Sequence, residues 1–222
     1  MGSDLKNSVI LEFYGLPGCG KSSVSHIVAD ELTKRGRSVE EPTYKIDHNE
    51  SHFVRKLKKT GCLIRYFFGS PKSCRILTKL VRKNGYKGAS AFSNSANIAQ
   101  KLLIYGRTNR DFVIFDQGLT QSALSLSQTG KVSVLENEAV LYELCKGRTV
   151  KKIYLRVEKE EALRRMKGRA SNDSRVEKMR TEKEQINALS AWESLCDSIS
   201  PDIVIESRDA AESAAEILEK LQ

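Results

Sequence analysis

The segment Gly15-Leu16-Pro17-Gly18-Cys19-Gly20-Lys21-Ser22 constrains this 222-residue chain more than any other. It matches the pattern G-x-x-x-x-G-K-[ST] in full. Ahead of it stands Ser8-Val9-Ile10-Leu11-Glu12-Phe13-Tyr14, an apolar run rich in β-formers. Behind it, Ser23 to Arg35 carries Val24, Ile27, Val28 and Leu32 at helical spacing. Glycines let backbone N–H groups turn inward without Cβ clashes. Those N–H groups and the N-terminus of the following helix form a cradle for an anion. Gly15, Pro17, Gly18, Cys19, Gly20, Lys21, Ser22 and Ser23 therefore read as a binding loop for the phosphates of ATP. Lys21 would reach the β- and γ-phosphates, and the Ser22 hydroxyl would ligate Mg²⁺.

The remaining pattern alternates strand and helix. Expected strands are Ser8–Tyr14, Ser38–Glu41, Phe112–Asp116, Lys151–Val157 and Asp202–Glu206. Expected helices are Lys21–Arg35, Glu136–Lys146, Lys159–Lys167, Arg175–Ser198 and Ala210–Leu221. Such alternation implies a parallel sheet with helices on both faces, ligands sitting at the carboxyl ends of the strands. Phe53 to Tyr105 interrupts it and is too long for a bare loop. It reads as three helical pieces, Phe53–Phe68, Lys72–Lys83 and Asn94–Gly106, broken at Gly69-Ser70-Pro71 and Asn84-Gly85. At this length the expectation is one domain, 1–222, with a basic helical subregion at 51–110 on the acceptor side and a lid at 160–178.

Charge is unevenly placed. Fourteen of the 37 Lys and Arg fall between Ser51 and Arg110, a stretch without one Asp or Glu, although the chain's net charge is only +9. A solvated surface mixes signs, so this stretch implies an anionic partner: a phosphorylated substrate, nucleic acid or a membrane surface. Within it, Leu63-Ile64-Arg65-Tyr66-Phe67-Phe68 is unusually apolar. Packing on the main domain is the default; lining a substrate pocket and lying on a membrane are the alternatives. The basic stretch lacks the regular aromatic interleaving of a surface that stacks bases, so nucleic acid is the weaker expectation. No run is long and apolar enough to cross a bilayer, and no signal peptide is visible. Cys19, Cys62, Cys74, Cys145 and Cys196 are scattered and odd in number, which suits reduced thiols in the cytoplasm. Cys19 lies inside the loop, where a tolerated small residue is a simpler reading than a redox switch.

Several residues then carry chemistry. Phe112-Val113-Ile114-Phe115-Asp116 is an apolar strand ending in a carboxylate, which beside the loop would help hold Mg²⁺. Glu41, at the end of the second strand, could take a proton from a hydroxyl acceptor; ordinary strand-end charge is the competing reading for Glu40 and Glu41. Arg165 and Arg169 are four apart and share a face if the helix persists. Arginine presents a fixed fork to phosphate, so the pair could neutralise a transferring phosphoryl group from a mobile cover. His48 and His52 lack the further ligands that a metal site needs. Trp192, with Leu189 and Leu195, fits a helix packing on the core.

These segments together resemble the P-loop kinases of small molecules, thymidylate kinase-like proteins in particular. The resemblance rests on the loop, on Glu41-Pro42-Thr43, on Asp116-Gln117-Gly118 with Ser122, Ala123 and Gln128 in register, and on Ala162–Glu177 as an arginine-bearing lid. It implies a three-layer α/β sandwich around a parallel sheet, with the loop after Asp202-Ile203-Val204-Ile205 facing adenine. It also implies an ATP- and Mg²⁺-dependent phosphotransferase. There are two departures. Glu40 stands where the family has the Arg of Arg-Glu-Pro. Gln117-Gly118 stand where it has the Arg-Tyr of Asp-Arg-Tyr. Both lost arginines belong to the acceptor side, which turns the expected acceptor away from thymidine monophosphate. Glu41-Pro42, which deoxynucleoside kinases of a related branch also carry, implies a hydroxyl acceptor, and the basic middle implies an anionic small molecule or glycan. A nucleoside or nucleoside-monophosphate kinase is the first alternative, and a nucleotide-binding switch or nucleic-acid-binding module without turnover is the second. A homodimer and a peripheral contact through 53–83 with the inner membrane face complete the expectations.

Overall fold

The computed structural model describes residues 8–42, 52–145, 147–168 and 176–221. Thr43, His48, Arg169 and Asp173 lie outside the described residues, as does the side chain of His52.

Five strands form one sheet: β1 (Val9–Gly15), β2 (Val39–Glu40), β3 (Phe112–Phe115), β4 (Thr149–Arg156) and β5 (Ile203–Glu206). Their order is β2-β3-β1-β4-β5, and every pairing is parallel. The central β1 is buried at every position after Val9, as a parallel strand covered on both faces must be. Its register pairs Glu12 with Phe115 and Gly15 with Leu155. Asp116 thus follows the end of β3 while β1 continues beside it into the glycine loop.

The helices flanking the sheet form two groups. One consists of α1 (Lys21–Lys34), which packs on α9 (Ala210–Lys220). The other contains α5 (Leu119–Ser127), α6 (Val134–Glu143) and α8 (Glu182–Asp197), with α7 (Lys159–Lys167) against α8. Ile10, Leu11, Phe13, Tyr14, Phe115, Leu124 and Leu155 are fully buried between them, and each such side chain contributes about 1.5–3 kcal/mol by leaving water. Tyr14 and Tyr154 stack across β1 and β4 at 4.9 Å.

The basic stretch is helical, as the sequence suggests: α2 (His52–Gly69), α3 (Pro71–Lys83) and α4 (Gly88–Tyr105). Pro71 starts α3, where its missing N–H costs nothing. The end of α3 docks on α6 through a reciprocal pair: Asn84 Nδ2 donates to Asn137 Oδ1 at 2.7 Å and Asn137 Nδ2 to Asn84 Oδ1 at 3.0 Å, both residues fully buried.

The structure corrects several expectations. α4 begins at Gly88, six residues before Asn94. α6 begins at Val134, because Ser133 caps it by accepting from the Glu136 N–H. α8 begins at Glu182 rather than Arg175: Thr181 and Glu184 form a reciprocal capping box there. Leu63–Phe68 is not packed away as a unit, since Tyr66 is buried while Ile64, Phe67 and Phe68 face outward. α5 was absent from the periodicity reading. Eight of its nine residues are buried, so it has no polar face to mark it as a helix. Leu189 and Trp192 are buried on α8 as expected, and the five cysteines are free thiols. Among the described residues no helix is long and apolar enough to cross a membrane.

Candidate active site

The glycine loop is clasped between β4 and α7. At Gly15 (φ +146°) a Cβ would lie 2.4 Å from the Leu155 carbonyl oxygen, and at Gly18 (φ +87°) 2.3 Å from that of Ala162. No side chain fits at either point, so these glycines bring the loop backbone against its neighbours. Gly20 adopts a left-handed conformation as the residue preceding α1. Lys21 folds back across the loop, its Nζ donating to the Leu16 carbonyl at 2.8 Å and the Gly15 carbonyl at 3.2 Å. Cys19 is fully buried, Pro17 half-buried and Ser23 exposed.

Ser22 lies in the first turn of α1 and Asp116 follows β3, yet Ser22 Oγ donates to Asp116 Oδ2 at 2.7 Å. A hydroxyl and a carboxylate are hard oxygen donors that suit Mg²⁺. Among the described residues no cluster of three His, Cys, Asp or Glu could hold a metal. The pair therefore fits an ion that completes its shell with phosphate oxygens and water.

One turn along α1 from Ser22, His26 Nδ1 lies 3.0 Å from Glu41 Oε2. Glu41 is 12% exposed at its side chain. Burial pushes its pKa up; His26 opposes this, and the charges of Asp30 and Asp116 add to it. A carboxylate shifted in this direction takes a proton more readily than a surface Glu, which is what a general base for a hydroxyl needs.

The guanidinium of Arg165, on α7, is engaged on several sides. It donates to Glu161 at 2.6 Å, to the Ser207 hydroxyl at 3.2 Å and to the Ser207 and Arg208 carbonyls at 3.1 and 2.8 Å. Arg164 and Arg165 hold Glu161 down to about 2. Ser207 Oγ in turn donates to the Cys19 carbonyl at 2.7 Å. Arg165 thus fastens the segment after β5 to the glycine loop, and a Cβ on Gly20 would lie 3.9 Å from its Nη1.

On the other side of the loop two cavities, of about 490 and 180 Å³, share Asn94, Asn97, Gln117 and Gln121 in their walls. The larger reaches Lys21 and Ser22; the smaller carries Lys59 and Lys101. Gln121 Oε1 accepts from the Gly15 N–H at 3.4 Å, tying α5 to the loop. Lys101 Nζ donates to Ser122 Oγ at 2.7 Å and to the Gly118 carbonyl at 3.0 Å. Gln128 also lines the larger cavity. Beneath this wall Glu12 is fully buried on β1, accepting from the Thr120 N–H at 2.7 Å and from the Tyr105 hydroxyl. Burial pushes its pKa up against the hydrogen bonds from Thr120.

The structure thus brings together Lys21, Ser22, Asp116 and Glu41 and places Arg165 at the loop's far edge. Sequence reasoning missed His26, Ser207, Asn94, Asn97 and Gln121. Two of these left a signal: His26 lies one helical turn beyond Ser22, and Ser207 directly follows a strand at its carboxyl end, where ligands gather. The amides carry no local pattern.

No protein-family model and no curated protein matches the sequence. Solved structures match its fold. The shikimate kinase from Acinetobacter baumannii in complex with shikimate superposes with a TM-score of 0.52 at 18% identity, over 98% of this chain and 94% of that one. For the deoxyadenosine kinase from M. mycoides with bound dATP the values are 0.51 and 20%, over 96% and 98%. For the Mycobacterium tuberculosis APS kinase in complex with AMPPNP and APS they are 0.50 and 13%, over 97% and 98%. What this chain shares with these P-loop kinases is the fold: a central, all-parallel, five-stranded sheet flanked by helices, with the glycine loop leading from β1 into α1.

Proposed function

We propose that this chain is an ATP- and Mg²⁺-dependent phosphotransferase that moves the γ-phosphoryl group to a hydroxyl of a small-molecule or glycan acceptor. The observation that carries this reading is the 2.7 Å contact of Ser22 Oγ with Asp116 Oδ2 at the start of α1. Similarity in fold to kinases of shikimate, deoxyadenosine and APS supports it.

The loop amides and Lys21 hold the β- and γ-phosphates, and Ser22 and Asp116 hold the metal. Mg²⁺, when bound, neutralises charge on the phosphate oxygens. The acceptor oxygen attacks the γ-phosphorus, the bond to the β,γ-bridging oxygen breaks, and ADP leaves with that electron pair. Glu41 takes the acceptor's proton, and His26 orients Glu41. Arg165 acts as a positioning residue that keeps the glycine loop and the segment after β5 in register around the nucleotide. Arg169, outside the described residues, belongs to the proposed lid. Membership of the thymidylate kinase-like branch rests on Glu41-Pro42 and on Asp116 with Ser122, Ala123 and Gln128. A nucleoside acceptor is the second reading: Asn94, Asn97, Gln117 and Gln121 offer the paired donors and acceptors that match base edges as well as sugar hydroxyls.

A peripheral contact with an anionic bilayer surface is part of the proposal. Phe68 and Phe67 are 77% and 52% exposed on α2, Ile64 lies one turn before them, and Arg65, Lys72, Arg75 and Lys79 supply charge nearby in the sequence.

The test is ADP release from Mg·ATP against nucleosides, nucleoside monophosphates, sugars, sugar phosphates and glycans, with Lys21→Ala as control. Stimulation by one hydroxyl-bearing class, lost in Lys21→Ala, is the expected result. Absence of Mg·ATP binding would overturn the reading.

A further inference from the structure

A third cavity, of about 610 Å³, opens on the other side of α4, and Glu41 forms part of its wall. Arg65 enters it from α2, and Arg107 and Arg110 enter it from the connection between α4 and β3. Arg65 and Arg107 also converge on one side chain: burial raises the Cys62 thiol, and the charges of these two arginines pull it back down. Among the described residues none of the three guanidiniums has a hydrogen-bonding or ion-pair partner. Among the described residues the carboxylates in the same wall are Glu40 and Glu41, and Glu41 is engaged by His26.

Gathering three like charges around one cavity costs Coulomb energy that an anion offsets. The guanidinium fork matches the oxygens of a tetrahedral oxyanion. The cavity also shares Gln100 and Ile104 with the amide-lined cavity that adjoins the loop's side of α4. A molecule bound in this cavity would meet both Glu41 and the arginines.

We infer that the acceptor carries a phosphate or sulfate group, gripped by Arg65 and Arg107 with Arg110 alongside, while its hydroxyl faces Glu41. This deepens the phosphotransferase reading and rests on it. Glu41 marks the reacting end; the arginines select acceptors by charge. None of these arginines lines the cavity that reaches Lys21 and Ser22, so their effect belongs to acceptor affinity.

The experiment is isothermal titration of the full chain with its glycine loop saturated by Mg·AMPPNP, so that the loop itself cannot take up the probe. The probes are inorganic phosphate, inorganic sulfate, glucose 6-phosphate and glucose. The two oxyanions and the hexose phosphate should bind, and glucose should bind far more weakly. Arg65→Ala/Arg107→Ala should weaken phosphate binding by about tenfold or more and leave Mg·AMPPNP affinity unchanged. All three arginines are exposed, so the variants are expected to fold. Equal phosphate binding by wild type and double variant, or equal binding of glucose and glucose 6-phosphate, would overturn the inference. Preference for phosphate over sulfate, or the reverse, decides which ester the site serves. Failure to bind Mg·AMPPNP would instead sink the phosphotransferase reading; the phosphate arm would then be read in Lys21→Ala protein, where the loop lysine no longer competes.

Discussion

The Ser207 hydroxyl donates to the Cys19 carbonyl at 2.7 Å, joining the segment after the last strand to the middle of the glycine loop. The same hydroxyl accepts from Arg165 Nη1 at 3.2 Å, so one small side chain connects α7, the edge strand β5 and the loop. Ser207→Ala leaves the buried Cys19 carbonyl without this donor and should cost about 1–2 kcal/mol in denaturant unfolding. Mg·AMPPNP affinity should fall with it. Unchanged affinity would show that the loop holds its shape without Ser207.

Lys21→Ala and Asp116→Asn should each lower kcat by about a hundredfold or more, since positioned charge supplies most of the stabilisation in phosphoryl transfer. Circular dichroism should show both variants folded. Turnover like wild type in either would remove that residue from the proposed machinery.

The pH profile of acceptor phosphorylation should report Glu41. Only its ionised form can take a proton, and burial places its pKa above the ordinary carboxylate range. Activity should therefore fall as pH drops through this raised value, with an acid limb above that of a surface Glu. Glu41→Gln should abolish that limb and cost about 10²-fold or more in kcat. The stability linkage runs the other way. The folded state holds this proton more tightly than the unfolded chain does, so Glu41's contribution to stability is present at low pH and lost as pH rises through the folded value. His26→Ala should move the limb to higher pH, because His26 now opposes the effect of burial.

Gly118→Ala is expected to destabilise the protein by about 1–3 kcal/mol through overpacking. A Cβ there would lie 2.3 Å from Cδ of Glu12, a carboxyl with no exposed surface to move into. Thermal melting of the variant checks this, and a melting temperature equal to wild type would show that Glu12 has room to shift.

Phe67→Ser/Phe68→Ser should reduce co-sedimentation with phosphatidylglycerol vesicles by about tenfold while leaving nucleotide affinity intact. Binding of the wild type should weaken with added salt and be absent on phosphatidylcholine vesicles. Equal sedimentation of wild type and variant would remove the membrane contact.

Much of the fold was legible because it is written locally. β1, the loop and α1 occupy one continuous stretch whose period switches from strand to helix at the glycines, and α7 was placed to the residue. The element that escaped, α5, is buried on nearly every side, so periodicity had nothing to detect. The start of α8 was misplaced because the capping box at Thr181 and Glu184 outweighs the helix-forming residues before it.

The sequence alone determined that a glycine-rich loop leads from a strand into a helix, that Asp116 closes an apolar run, and that one basic segment stands apart from the mixed-charge remainder. The glycine spacing and the hydrophobic period dictate these features within a few residues of chain. The tertiary structure decided which distant side chains meet: Ser22 with Asp116, His26 with Glu41, Ser207 with Cys19, and Arg65 with Arg107 around a shared cavity. Those meetings follow from strand order and from how α2, α3 and α4 pack. Both are set by burial summed over the whole chain and not by any local pattern.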